Sequence, residues 1–333
     1  MRPTLSIDRY FSKISAPPGR YIIAGASGLI GRHAVRLLAD APDVTGTSLW
    51  RSHRPQIHHK NFQSLEADLS VPEAARRAIR EADFLLMFAG VVAPSRVLAR
   101  DPVTPAIANL RLVANTLEAA WLAGIKKVVW LSSTTVYPDF GGAIDETMAA
   151  QGEPPGDWYA IGSAMRTGEM LCRAYSSHPA RPMPCIVLRP TLVYGEHDSF
   201  DDDAHFLPAL VRRVVERQDP IEVWGDGEQR RDVVHADDVV NAALLALSRI
   251  SSFDTFNVGA GESVSVNHVL SRLLALDAYE GARIVHHQAN SSTPRSRSFS
   301  IEKARRLLGF RPQVSLDEGL RGTLAWFRHR VSP

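Results

Sequence analysis

Cysteine is nearly absent from this chain of 333 residues: only Cys172 and Cys185 occur, too few for a disulfide framework or a zinc site. A reducing compartment is the natural expectation. Lysine is scarce as well, since Lys13, Lys60, Lys126, Lys127 and Lys303 are the only five among 38 basic residues. An excess of one charge is also missing: 38 basic side chains face 36 acidic ones, a net of +2, which argues against an electrostatic footprint on nucleic acid. No run of 18 apolar residues exists that could span a bilayer, so no membrane partner is expected. The first nineteen residues carry Arg2, Asp8, Arg9 and Lys13 and lack the apolar core of a secretory signal, so the expected location is cytoplasmic.

What is present is a regular alternation. Apolar runs at 21–24, 44–49, 84–88, 128–131, 185–188 and 255–258 read as strands. Stretches at 73–81, 105–123, 206–217, 239–248 and 316–330, together with segments after Gly28 and after Tyr159, read as helices. Strands separated by helices predict an α/β fold of the Rossmann type, a doubly wound parallel sheet. The expected division is an extension over 1–19, a dinucleotide-binding domain over 20–190 and, over 191–333, a smaller C-terminal substrate-binding region that returns some strands and helices to the first domain.

The first strand runs into Gly25-Ala26-Ser27-Gly28-Leu29-Ile30-Gly31, which opens a helix. Glycines there admit a pyrophosphate close to the backbone, and the helix N-terminus offers it free N–H groups. The second strand ends Thr47-Ser48-Leu49-Trp50-Arg51-Ser52-His53-Arg54, with no acid to hold a ribose 2′-hydroxyl. Ser48, Arg51 and Arg54 suit a 2′-phosphate instead, which favours NADP(H) over NAD(H); a merely solvated arginine loop is the alternative.

Further motifs follow in order over about 300 residues: Ala67-Asp68-Leu69, Phe88-Ala89-Gly90, Asn109, Ser132-Ser133-Thr134-Thr135-Val136-Tyr137, Asp145-Glu146, Arg189-Pro190-Thr191-Leu192-Val193-Tyr194-Gly195, Arg231-Asp232 and Leu307-Leu308-Gly309-Phe310-Arg311-Pro312. On these the chain resembles the extended short-chain dehydrogenase/reductase family, the NAD(P)-dependent epimerase/dehydratase group that acts mostly on nucleotide sugars. The resemblance implies that Asp68 and Leu69 lie at the adenine and that Ala89, Gly90 and Asn109 lie along the cofactor. It implies that Ser132 binds the cofactor, that Arg189 and Pro190 bind it where cofactor and substrate meet, that Ser133 polarises the reacting oxygen, and that Arg231 takes the substrate diphosphate. Arg295 and Arg297 either reach a second phosphate or belong to a flexible basic loop. A homodimer through the helices after Asn109 and Tyr159 is typical of such proteins.

The family's chemistry pairs a tyrosine with a lysine four residues later, whose charge lowers the tyrosine pKa. Tyr159 supplies the tyrosine, but Ser163 stands where the lysine would. Arg166 is the nearest cation, about 10 Å further along the helix. It either replaces the lysine or is an unrelated arginine. Thr134 and Thr135 in place of an acidic pair disfavour a 4,6-dehydratase. The expected function is therefore an NADP(H)-dependent epimerase or ketoreductase working on a sugar carbon, with Ser133, Tyr159 and Arg166 in the catalytic centre. Leu192 leaves open a reductase of a non-nucleotide carbonyl, and Ser163 a catalytically weakened NADP(H)-binding protein. The paired histidines at 58–59 and 286–287 lack ligand spacing, so no metal is expected and both pairs read as solvated loops.

Overall fold

The computed structural model describes residues 16–54, 59–92, 95–201, 204–288 and 296–331, so Arg295 and His58 lie outside the described residues. Strand β1 (Gly19–Ala24) buries Tyr21, Ile22, Ile23 and Ala24 completely or nearly so, because it is flanked on both sides and covered on both faces. Around it a seven-stranded parallel sheet forms from β2 (Val44–Trp50), β3 (Phe62–Glu66), β4 (Phe84–Met87), β5 (Lys127–Leu131), β7 (Cys185–Pro190) and β12 (Asp254–Val258). The order β3-β2-β1-β4-β5-β7-β12 reverses direction between β1 and β4. A crevice at the carboxyl ends of those two strands is where such a sheet binds ligands.

Helices cover both faces. Helix α1 (Leu29–Ala39) follows β1; α2 (Pro72–Ala78) follows β3; α3 (Ser95–Arg100) and α4 (Val103–Ala123) follow β4; α5 (Tyr159–Ser176) precedes β7. The helix expected over 73–81 stops at Ala78, and Glu81 beyond it turns back with φ +37°. Helix α5 lies close on β5: a Cβ on Gly168 would sit 2.4 Å from the ring of Trp130, itself fully buried. That contact is why a glycine stands mid-helix despite its cost in chain entropy.

After β7 the chain builds a second core. Strand β8 (Leu192–Tyr194) pairs in parallel with β11 (Val233–His235), between which come α6 (Phe206–Val215), β9 (Ile221–Trp224) and β10 (Arg230–Arg231). Helix α7 (Ala236–Arg249) returns to the large sheet, starting three residues earlier than expected because His235 caps it. Then β13 (Val264–Ser265), α8 (Val266–Leu276), β14 (Ile284–His287), β15 (Ser296–Phe299), α9 (Glu302–Leu308) and α10 (Leu316–Val331) complete the lobe. A short strand β6 (Ala143–Ile144) joins β15. Tyr194, Leu210, Ile221, Leu270, Leu324 and Phe327 pack at its centre. The 286–287 pair belongs to β14, with His287 against Trp224, and is not a loop as its polar neighbours suggested. Among the described residues no helix is long and apolar enough to cross a membrane.

Replacing Gly168 by Val should force α5 off Trp130 and cost about 1–3 kcal/mol, as overpacking of a filled core does. Denaturant unfolding at neutral pH measures it through a lower midpoint with an unchanged slope.

Candidate active site

The glycine turn is shaped by close approach. Gly25 has φ +82°, and a Cβ there would meet the Ala89 backbone at 2.6 Å; a Cβ on Gly31 would lie 2.1 Å from the Gly25 carbonyl. The loop is hung from β2, with Gly25 and Ala26 N–H both donating to the Leu49 carbonyl. Gly28, at the helix start, gives no side-chain cap, so the N–H groups of Leu29, Ile30 and Gly31 in the first turn are the orphan donors of a helix N-terminus. Arg32 ties the turn by donating to the Ser27 carbonyl at 2.8 Å. The cradle fits a dinucleotide pyrophosphate.

Ala89 and Gly90 follow β4 across the crevice. Asn109, buried on α4, does not reach outward: its amide exchanges hydrogen bonds with both Val91 backbone groups at 3.0 and 2.9 Å and donates to Pro105. Its amide holds that loop in place. At the end of β2, Arg51 and Arg54 are exposed, whereas Ser48 is buried with its hydroxyl donating to the Gln63 carbonyl of β3. The Ser48 hydroxyl thus bonds the neighbouring strand at the sheet edge, because strand alternation turns it inward. Asp68 accepts from the Ser70 hydroxyl and N–H, bonds that hold its carboxyl below the ordinary range, and Leu69 beside it is buried.

Ser133 is half-buried at the end of β5 and caps the short helical turn Thr134–Val136, its Oγ accepting from Thr135 N–H at 3.1 Å. The hydroxyl proton remains to be donated. Its neighbour Ser132 donates to Glu169 Oε1 at 2.7 Å, and Arg189 clasps the same carboxylate through Nε at 2.8 Å and Nη2 at 2.5 Å. Arg189 Nη1 reaches Tyr137 Oη and the Glu146 carbonyl. The Arg189 side chain is thus buried and bonded within the protein; Pro190 next to it stays half-buried at the strand end. Glu169 is a site residue that sequence reading missed, and a carboxylate in an otherwise apolar helical face was the available signal.

Arg231 is half-buried and desolvated, which lowers its pKa, and among the described residues its guanidinium donates to the Arg230 carbonyl. It has no carboxylate partner among the described residues: Asp232 instead accepts from Thr191, Ala260 and Gly261 and is pushed up to about 6 by burial. Directly opposite across the β10–β15 pairing stands Arg297, 7 % exposed, donating to the Tyr137 and Pro138 carbonyls just beyond the Ser133 turn. Its guanidinium lies 5.1 Å from the Trp158 ring, and its buried Nε has no partner.

Residues 21–259 match the family model described as "NAD dependent epimerase/dehydratase family". The chain belongs to this family. Among curated relatives, GDP-L-fucose synthase 1 of Arabidopsis thaliana is 28% identical, covering 96% of each chain. GDP-mannose 3,5-epimerase of Arabidopsis thaliana is 25% identical over 93% of this chain and 82% of the relative. Among solved structures, the UDP-glucose 4-epimerase of Thermotoga maritima with UDP-glucose superposes with a TM-score of 0.83 at 24% identity, over 94% of this chain and all of that one. The Thermus thermophilus UDP-glucose 4-epimerase with NAD gives 0.79 at 25% identity, over 94% and 100%.

Helix α5 packs against the Ser133 segment. Three contacts fix which face it turns to the Ser133 segment: a Cβ on Gly162 would lie 2.3 Å from the Thr135 carbonyl, Arg166 Nε donates to the Val136 carbonyl at 2.8 Å, and Glu169 takes Ser132. Beside these, Met165 packs on the cluster of Val136 and Tyr137, and Ile161 is buried. Tyr159 sits at the first position of the helix and is 51 % exposed; Ser163 is half-buried. The guanidinium of Arg166, desolvated and therefore lowered in pKa, is anchored to the turn and keeps a buried Nη2 without a partner.

Glu169→Gln should cost about 3–5 kcal/mol, because it leaves the buried Arg189 guanidinium without its counter-charge. Guanidinium chloride unfolding of the variant against the parent gives the number, and a loss under 1 kcal/mol contradicts the assignment.

Proposed function

We propose that the protein is an NADP(H)-dependent oxidoreductase or epimerase that acts on a sugar carbon of a nucleotide sugar. The observation that carries this reading is the pair Arg231 and Arg297, two desolvated guanidinium groups without carboxylate partners among the described residues. One of them touches the backbone just after the Ser133 turn. Two forks of N–H donors side by side suit a diphosphate, held within reach of a hydroxyl that can polarise an adjacent oxygen. The names of the relatives, GDP-L-fucose synthase and GDP-mannose 3,5-epimerase, support the same ligand class.

The cofactor fits the cradle at Gly25, Gly28 and Gly31, where Gly25 and Gly31 let the backbone segments pack closely and the uncapped first turn of α1 offers its N–H groups to a pyrophosphate. Arg51 and Arg54 at the end of β2 favour the 2′-phosphate of NADP(H). Bound there, the nicotinamide supplies the hydride acceptor or donor. Ser133 donates its hydroxyl to the reacting oxygen, and Asn109, Ser132 and Glu169 hold the two loops that frame it. Exposed Val103, Ile107 and Leu122 on α4, with Met170 on α5 at 66 % exposure, support a homodimer through these packed helices. Two buried free cysteines suit a reducing, cytoplasmic setting.

A second reading, a catalytically weakened NADP(H)-binding protein, is favoured by the half-exposed Tyr159 at the start of α5. Stopped-flow absorbance at the NADPH band with a panel of GDP- and UDP-sugars separates the two. On the first reading Tyr159→Phe lowers hydride exchange by about 10²-fold or more. On the second the parent binds NADPH, exchanges no hydride, and Tyr159→Phe changes nothing.

Arg231→Ala should weaken nucleotide-sugar binding about tenfold or more by calorimetry while leaving NADPH affinity within about twofold. Arg51→Ala with Arg54→Ala should cut the preference for NADPH over NADH by a comparable factor.

A further inference from the structure

Helix α1 carries, two residues after Gly31, a histidine that the cofactor cradle does not use. His33 is buried at 2 % exposure, and both of its ring nitrogens face atoms that can only accept. Nδ1 lies 2.6 Å from Asp237 Oδ1 on α7, and Nε2 lies 3.0 Å from the Glu196 carbonyl in the turn after β8. A neutral imidazole carries one proton and would set a lone pair against one of these acceptors. Only the imidazolium satisfies both. His235 next to it differs: its Nδ1 accepts from Asp237 N–H at 3.3 Å, so its proton sits on Nε2, which donates to Glu196 Oε2 at 3.2 Å.

The charges around His33 balance. Asp237 takes Arg36 of α1 through both oxygens at 2.6 Å, and the Glu196 carboxylate lies 3.7 Å from His33 Nε2. Two cations, His33 and Arg36, thus meet two anions, Asp237 and Glu196. His197 stands edge-on to His33 with ring centroids 6.1 Å apart, Asp198 follows it, Asp238 adjoins Asp237, and Arg32 lies on the same helix. His33, His235 and Asp237 bring potential ligand atoms within 4.8 Å, but hydrogen bonds and Arg36 occupy those atoms, so the group reads as a closed polar network.

We propose that protonated His33 is a positioning residue, a charged clasp that fixes the cofactor-binding start of α1 against the Gly195–Asp198 turn of the substrate lobe. The turn rests on both rings: a Cβ on Gly195, whose φ is +155°, would lie 3.2 Å from His235 Nε2 and 3.4 Å from His33 Nε2. On its other side α1 begins against the Gly25 carbonyl. Loss of the His33 proton turns a donor into a lone pair facing the Glu196 carbonyl, which loosens the turn and the cradle together.

The sign follows from the surroundings. Burial alone pushes the imidazole down, but the Asp237 and Glu196 charges outweigh it, with Arg36 opposing, and the pKa is raised. A raised folded-state value means that the clasp is complete below the ordinary histidine range and is lost as pH rises through the folded-state pKa. Glu196, facing His235 and His33, is held down to about 2 despite its burial and stays ionised throughout.

The test rests on the NADP(H) reading for one of its arms only. NADPH affinity is measured by calorimetry from about pH 7 to about pH 9.5, where the 2′-phosphate is already fully ionised. Alongside it, the His33 ring is titrated by NMR and amide exchange is followed at 196–199. The expected result is a His33 pKa above the ordinary histidine value, NADPH binding that weakens about fivefold or more across the titration, and faster exchange at 196–199 above that pKa after correction for intrinsic rates. In His33→Gln the affinity is already weak at pH 7 and flat with pH. Should that variant not fold, Glu196→Gln serves: it removes one charge facing the ring and shifts the midpoint to lower pH. A His33 that titrates below 6.5, an equal pH dependence in parent and His33→Gln, or an unmoved midpoint in Glu196→Gln overturns the proposal. Absence of NADPH binding at every pH would instead sink the cofactor reading, with the NMR and exchange arms still deciding the clasp.

Discussion

The buried pair of Glu169 and Arg189 joins three parts of the chain through one set of hydrogen bonds. Glu169 comes from α5, Arg189 from the end of β7, and Ser132 from the segment leaving β5. Through Tyr137 the network reaches Asn257 on β12, whose amide in turn holds the Ile144 and Ser300 carbonyls. Two charges out of water are stable only when their remaining polar groups are matched, and here four hydrogen bonds from the Arg189 guanidinium meet a carboxylate, a phenol and a carbonyl. The position of Ser133, one residue beyond Ser132, is a consequence of that match. So is the rotation of α5, which decides whether Tyr159 or the Ile161–Met165 side of the helix looks at the reacting group.

A second constraint is purely steric. The crevice at the sheet's switch point exists because Gly25 and Gly31 let three backbone segments approach within distances no side chain allows. The polar groups lining it divide into those that face outward and those that hold the frame. Arg51, Arg54 and the N-terminus of α1 face outward; Ser48, Asn109 and Arg189 are bonded within the protein. The two kinds look identical in a sequence. They differ in whether a hydrogen-bond partner lies across a tertiary contact.

Much of the large sheet was legible because parallel strands buried on both faces are continuous apolar runs, and 21–24, 128–131 and 185–188 all lie in such strands. Strand β3 has no such apolar run, since Phe62–Glu66 sits at the sheet edge, where only Phe62 is buried. The second lobe was harder. Its strands β10 and β13 are two residues long, so neither offered a periodic window long enough to read. Arg231 and Arg297 stand 66 positions apart, and their pairing depends on β15 lying beside β10, which no local pattern states.

The sequence by itself determined the glycine spacing, the strand and helix alternation, the missing lysine after Tyr159 and the arginine-rich end of β2, because each is a local property of a few consecutive residues. The tertiary structure alone decided which face of α5 meets Ser133, that Arg231 and Arg297 lie side by side, and that His33 needs two protons. Each of those depends on contacts between residues 30 to 204 positions apart. A hydrogen bond or a charge pair has meaning only once folding has excluded the water that would otherwise satisfy both partners.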